Sequence, residues 1–163
     1  MALVDFFLKI EGIEGESTDS KHKNEIDVMS WSWGETNSGS HATGGGGGAG
    51  KVSMQDFHFV MEANKSTPKL MLACATGQHI PKAVLTVRKA GGEQQEYMKI
   101  TMSDLLVSSF QSGGSGTGGN IKPTDQISLN YSKIEWEYKE QKPDGTLGGT
   151  VKAGWDVKAN KKV

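Results

Sequence analysis

The stretch QISLNYSKIEWEYKEQ, residues 126 to 141, constrains the fold more than any other. Ile127, Leu129 and Tyr131 are apolar at odd positions, then Ile134, Trp136 and Tyr138 at even ones. Residues two apart share one face of a strand, so the period is that of β-structure. The change of parity requires a bulge or bend inside one long strand. Met98, Ile100 and Met102 give way to Leu105 and Val107 in the same manner. Strands that change face midway carry a chain around the corners of a barrel or an orthogonal sandwich.

The rest of the chain supplies walls for such a barrel. Residues 3–10 read as a strand, with Phe6, Leu8 and Ile10 on one parity. The polar run EGIEGESTDSKHKNE reads as a loop. In IDVMSWSWG, residues 26–34, one strand places Met29, Trp31 and Trp33 on one face and Ser30, Ser32 and Gly34 on the other. Burying a tryptophan removes on the order of 150–250 Å² from water, so the tryptophan face is expected in the core and Ser30 and Ser32 outside it. A further strand is expected over 52–60, and KAVLTVRKA returns through a Gly91-Gly92 turn. The sequence predicts one helix, in STPKLMLACATG. Ser66 or Thr67 can cap it, Pro68 suits its first position, and Gly77 suits a left-handed stop. Leu70, Ala73 and Cys74 would face the body of the protein. The 22 glycines among 163 residues fit many sharp reversals. The expected fold is mainly β, a compact β-barrel-like pair of packed sheets with one flanking α-helix. It forms one domain over residues 1–163, with an extended glycine-rich loop at 38–51.

That loop raises the one enzymatic possibility. Gly45, Gly50 and Lys51 have the spacing of a phosphate-binding loop, but Val52 stands where a magnesium-binding Ser or Thr is needed. No apolar strand precedes the loop, and the residues after it alternate as a strand rather than opening a helix. The glycines are therefore read as a surface or subunit-bridging loop, not a nucleotide site.

No other pattern suggests catalysis, a metal or a cofactor. His22, His41, His58 and His79 have no second ligand at metal-binding spacing, and G-x-S-x-G is absent. His58, between Phe57 and Phe59, reads as a rim or interface residue. Cys74 is the only cysteine, which precludes an internal disulfide, and its helical setting suggests an inert thiol. A formal net charge of -1 argues against binding driven by nucleic acid or anionic membrane. MALVDFFLKIEG lacks a basic leader region and carries Asp5 and Lys9, so it resembles neither a signal peptide nor a membrane span.

Four segments in order, GIEGESTDSKHKNEIDVMSWSWG, STPKLMLACATGQHIPKAVLTVRKAGGE, LLVSSFQSGGSG and GWDVKANKKV, resemble the haemolysin-coregulated protein family. These are tube proteins of the bacterial type VI secretion system. The resemblance implies a structural subunit that forms six-membered rings with an open centre. Rings would stack into a tube capped by a trimeric spike and enclosed by a contractile sheath, with small effector proteins carried inside. It also implies assembly in the bacterial cytoplasm followed by export through the machine, without a signal peptide. Ser30 and Ser32 are the expected lumen-facing residues. Gly44, Gly45, Gly46, Gly47, Gly48, Gly91, Gly92 and Lys158 are the expected stacking or subunit contacts. The alternative from another class is a monomeric β-sandwich that binds carbohydrate through exposed tryptophans.

Overall fold

Strand-forming alternation becomes one large sheet and a separate two-stranded ladder in the computed structural model, which describes residues 3–39, 50–90, 93–119 and 122–163. In chain order the strands are β1 (Val4–Ile10), β2 (Ile26–Asp27), β3 (Ser30–Ser32), β4 (Glu35–Asn37), β5 (Val52–Met54) and β6 (Phe57–Glu62). They continue after helix α1 (Thr67–Thr76) with β7 (Ile80–Lys89), β8 (Glu96–Gly113), β9 (Thr124–Gln141), β10 (Leu147–Asp156) and β11 (Lys161–Lys162). The main sheet runs β11-β10-β9-β8-β7-β1-β2, while β6 joins β3 to β9. Because β2 leads into β3, the ladder returns on itself and makes a barrel. All of its pairings are antiparallel.

The corner sits where the parity changes. Met102 and Ile134 face the core as a pair, Leu105 and Tyr131 face it as the next, and two residues per strand separate them. Strand β7 bends at the same level, between Ile80 and Ala83, which the sequence reading did not pick out. Asp104 takes φ 56° at this bend. The Ser132 hydroxyl donates to its carbonyl and carboxylate oxygens, both at 3.0 Å. Further along β8, Ser108 is an extra residue between the pairs Val107–Leu129 and Ser109–Ser128. That bulge returns Phe110 toward the interior opposite Ile127.

Several expected elements differ in detail. The segment 26–34 is two short strands rather than one. Val28 N–H donates to Phe6 O on one wall, and Met29 N–H donates to Val60 O on the next. This change of partner turns Met29 outward to 52% exposure, away from the tryptophan face where alternation placed it. The expected strand 52–60 is likewise broken at Gln55–Asp56. The helix begins where expected, but Ser66 makes no side-chain cap. Asn64 does the work, its Oδ1 accepting from Ser66 N–H at 2.8 Å. Gly77 adopts φ 65° and donates to Ala73 O, giving the expected left-handed stop. Leu70 and Ala73 are buried, whereas Cys74 is only half-buried. The KANKKV tail contributes β11 to the sheet edge.

The loop 11–25 is tied down by charge. Arg88 is 2% exposed and forms a two-pronged pair with Asp19, Nη1–Oδ1 at 3.0 Å and Nη2–Oδ2 at 2.6 Å. Its Nη2 also reaches Asp5 Oδ2 at 3.0 Å, and its guanidinium lies 4.8 Å from the Phe7 ring centroid. His22 stacks on Phe7 at 4.4 Å, with Glu25 and Glu96 at its two ring nitrogens. Gly15 closes the loop base: a Cβ there would lie 2.5 Å from Glu25 O.

Candidate functional site

One wall of the barrel presents a polar face built in register across four strands. Ser32 pairs with His58, His58 with Ser128, and Ser128 with Ser109, on β3, β6, β9 and β8 respectively. The next row runs Ser30, Val60, Gln126 and Gln111. Directly paired residues point to the same side of a sheet, so all eight side chains share one surface. The reverse side carries Trp31, Phe59, Ile127 and Phe110 against the core. Alternation therefore builds both faces at once: large apolar groups inward, mostly polar ones outward.

Ser30 and Ser32 are exposed, as are His58, Gln126, Ser109 and Gln111. None of the eight carries a formal charge when His58 is neutral. Ser128 is only 4% exposed because its neighbours cover it. The Ser109 hydroxyl donates to Ser128 Oγ at 2.7 Å, and Ser128 Oγ lies 2.6 Å from His58 Nδ1. Beside this row, Asp56 accepts from Ser108 Oγ at 2.6 Å and from Asn130 Nδ2 at 2.8 Å. The sequence reading placed Ser30 and Ser32 on an outward face but named neither Ser109, Ser128 nor the link to His58. Parity alone could place His58 opposite its flanking phenylalanines; only the register showed which serines it meets.

Three of the tryptophans pack against aromatic neighbours. Trp31 stacks near Phe57 at 5.9 Å and meets Phe6 at 6.3 Å edge-on; Trp136 lies 6.1 Å from Trp31 and 5.5 Å from Trp33. Trp33 Nε1–H donates to Tyr131 Oη, whose own proton goes to Gln55 O at 2.8 Å. Burial pushes the Tyr131 phenol up to about 12. All four tryptophans are half-buried. Trp33, Trp136 and Trp155 floor an open trough of about 1130 Å³ between the β4–β5 hairpin and β10.

The expected contact residues fare differently. Lys158 is exposed in the turn between β10 and β11. Gly44, Gly45, Gly46, Gly47, Gly48, Gly91 and Gly92 lie outside the described residues. The flanks of the glycine loop form the β4–β5 ladder, with Asn37 Nδ2 donating to Gly50 O at 2.8 Å. Val52 begins a strand, so the residues after Lys51 do not open the helix that a phosphate-binding loop requires. Among the described residues no His, Cys, Asp and Glu group is arranged to hold a metal, and no helix is long and apolar enough to cross a membrane.

Known proteins share this architecture along its whole length. The chain is 54% identical to the protein Hcp1 of Pseudomonas aeruginosa over 159 residues, covering 96% of this chain and 97% of that one. The crystal structure of Hcp1 from Salmonella typhimurium superposes with a TM-score of 0.82 at 40% identity, covering 99% of this chain and 100% of the other. A structure described as a type six secretion system protein reaches a TM-score of 0.91 at 31% identity, covering 98% and 99%. Residues 7–138, which hold the bent strands, the helix and the polar face, match the family described as "Type VI secretion system effector, Hcp". With its barrel, flanking helix and full-length similarity in agreement, the chain belongs to the Hcp family of the type VI secretion system.

Proposed function

We propose that this protein is a structural subunit of the secretion tube, that six copies close into a ring, and that the β3–β6–β9–β8 face lines the central channel. The observation that carries this reading is that face: seven of its eight side chains are polar and none is a carboxylate, lysine or arginine, across four strands of the barrel. A channel wall of this kind wets a passenger without gripping it, since strong fields and large apolar patches are both missing from it. Small effector proteins travel against Ser30 and Ser32. Stacked rings meet a trimeric spike at the tip and a contractile sheath outside, and the tube leaves the bacterial cytoplasm through the machine.

Ring contacts draw on the ends of the barrel strands. The glycine loop, the Gly91-Gly92 turn and Lys158 are the stacking elements, and modest contacts suffice because repeated rings add their effects. The trough beside β10 offers a neighbouring copy an apolar seat.

Light scattering of the purified protein tests the ring, with a mass near six times 17.5 kDa expected. A monomer at micromolar concentration would overturn it. Ser32→Gln tests the channel face: rings should persist while at least one co-purifying small protein is depleted several-fold. Unchanged retention of every passenger would reassign the face to the outside of the ring.

A further inference from the structure

The row Ser32–His58–Ser128–Ser109 is more than a polar coating, because its hydroxyls are ordered in one direction. Ser109 donates to Ser128 Oγ, and the single Ser128 proton is then free for an acceptor. The acceptor within reach is His58 Nδ1, at 2.6 Å. Ser128 is 4% exposed, so its proton stays within the row. In this direction the neutral imidazole carries its proton on Nε2. His58 is exposed, and Nε2 has no partner among the described residues.

We propose that His58 is a passenger-contacting residue of this face, its Nε2–H held ready by Ser109 and Ser128 to bind an amide carbonyl oxygen of a polypeptide. This rests on the channel reading above. Two observations select a neutral acceptor rather than a carboxylate. Asp56, two residues before His58, is already supplied with donors by Ser108 and Asn130, and its charge opposes a second anion. The eight-residue face itself brings no cation to attract one. Ser32, directly across the ladder from His58, adds a hydroxyl beside the same spot. In a closed ring each subunit repeats this donor, so a passenger backbone would meet several at once. Weak single bonds of about 1 kcal/mol net would then hold cargo without trapping it.

Histidine tautomers in ¹⁵N-labelled protein test the relay independently of any ring. The His58 long-range ¹H–¹⁵N pattern should be that of the Nε2–H form, and Ser128→Ala should relax it toward a mixture. An Nδ1–H form in the unaltered protein overturns the relay, as does an unchanged pattern in Ser128→Ala. The contact itself is read on the small proteins that co-purify with rings and are depleted by Ser32→Gln. His58→Ala should lower their retention at least threefold with the ring mass unchanged, and His58→Gln, which keeps an N–H donor, should restore part of it. Equal retention in His58→Ala overturns the contact. If Ser32→Gln depletes nothing and His58→Ala also depletes nothing, the channel reading and the contact fail together, while the tautomer result still decides the relay.

Discussion

Trp31 and Asp19 show how different forces hold single residues of this barrel. Trp31 is half-buried but touches Phe6, Phe57 and Trp136, joining β3 to β1, β6 and β9. Trp31→Ala should cost roughly 2–4 kcal/mol in urea unfolding, toward the lower range for large-to-small core changes because part of the ring is already wet. Asp19 works by charge. The Arg88 guanidinium beside it lowers its carboxyl to about 2 from the ordinary 3.8. A depressed carboxylate pKa adds stability that is complete above the unfolded value and fades as pH falls through the folded one. This contribution should therefore vanish between about pH 4 and pH 2. Asp19→Asn should destabilise at pH 7 by roughly 1–3 kcal/mol, as expected for a lost bond to a charged group. It should also flatten the fall in stability over the acid window, and a wild-type slope in the variant would refute the assignment.

Among the elements, the bend shared by β7, β8 and β9 has the sharpest local requirement. A non-glycine residue at positive φ is tolerated best when it is Asn or Asp. Asp104 meets that condition at 56° and also accepts the Ser132 hydroxyl. Asp104→Val combines a strained backbone with loss of the carboxylate acceptor for Ser132, and a loss of roughly 1–3 kcal/mol is expected. Asp104→Asn should stay within about 1 kcal/mol of the parent protein. Equal stability of the two variants in thermal melts would show that the bend does not depend on this residue.

For the molecule as a whole, the prediction concerns the separation of folding from assembly. Among the described residues the core draws on β1, β2, β6, β7, β8, β9 and the buried face of α1. Removing residues 44–49, five glycines and an alanine, should leave the subunit melting temperature within about 3 °C, since they carry almost no side chain to bury. The fraction of rings or stacked rings should fall. Loss of folding in isolated subunits would mean that the loop belongs to the barrel after all.

What could be read from the chain follows from the range of each interaction. Alternation is local, so the parity changes at 131–134 and 102–105 announced a bent barrel, and Pro68 and Gly77 bracketed the helix. The same rule placed Ser30 and Ser32 opposite the tryptophans, because two adjacent residues on a strand cannot share a face. Four ordered segments further pointed to the family. Partner choice is not local. That β2 and β3 serve different walls, exposing Met29, depends on Phe6 and Val60 standing where they do. Arg88 meets Asp19 across 69 residues, and His58 meets Ser128 across 70, through a register set by the closed ladder. The sequence by itself thus determined which residues could face inward or outward. Only tertiary structure decided which of them meet, because a hydrogen bond or ion pair needs its atoms within about 3 Å, and distance along the chain does not specify distance in space.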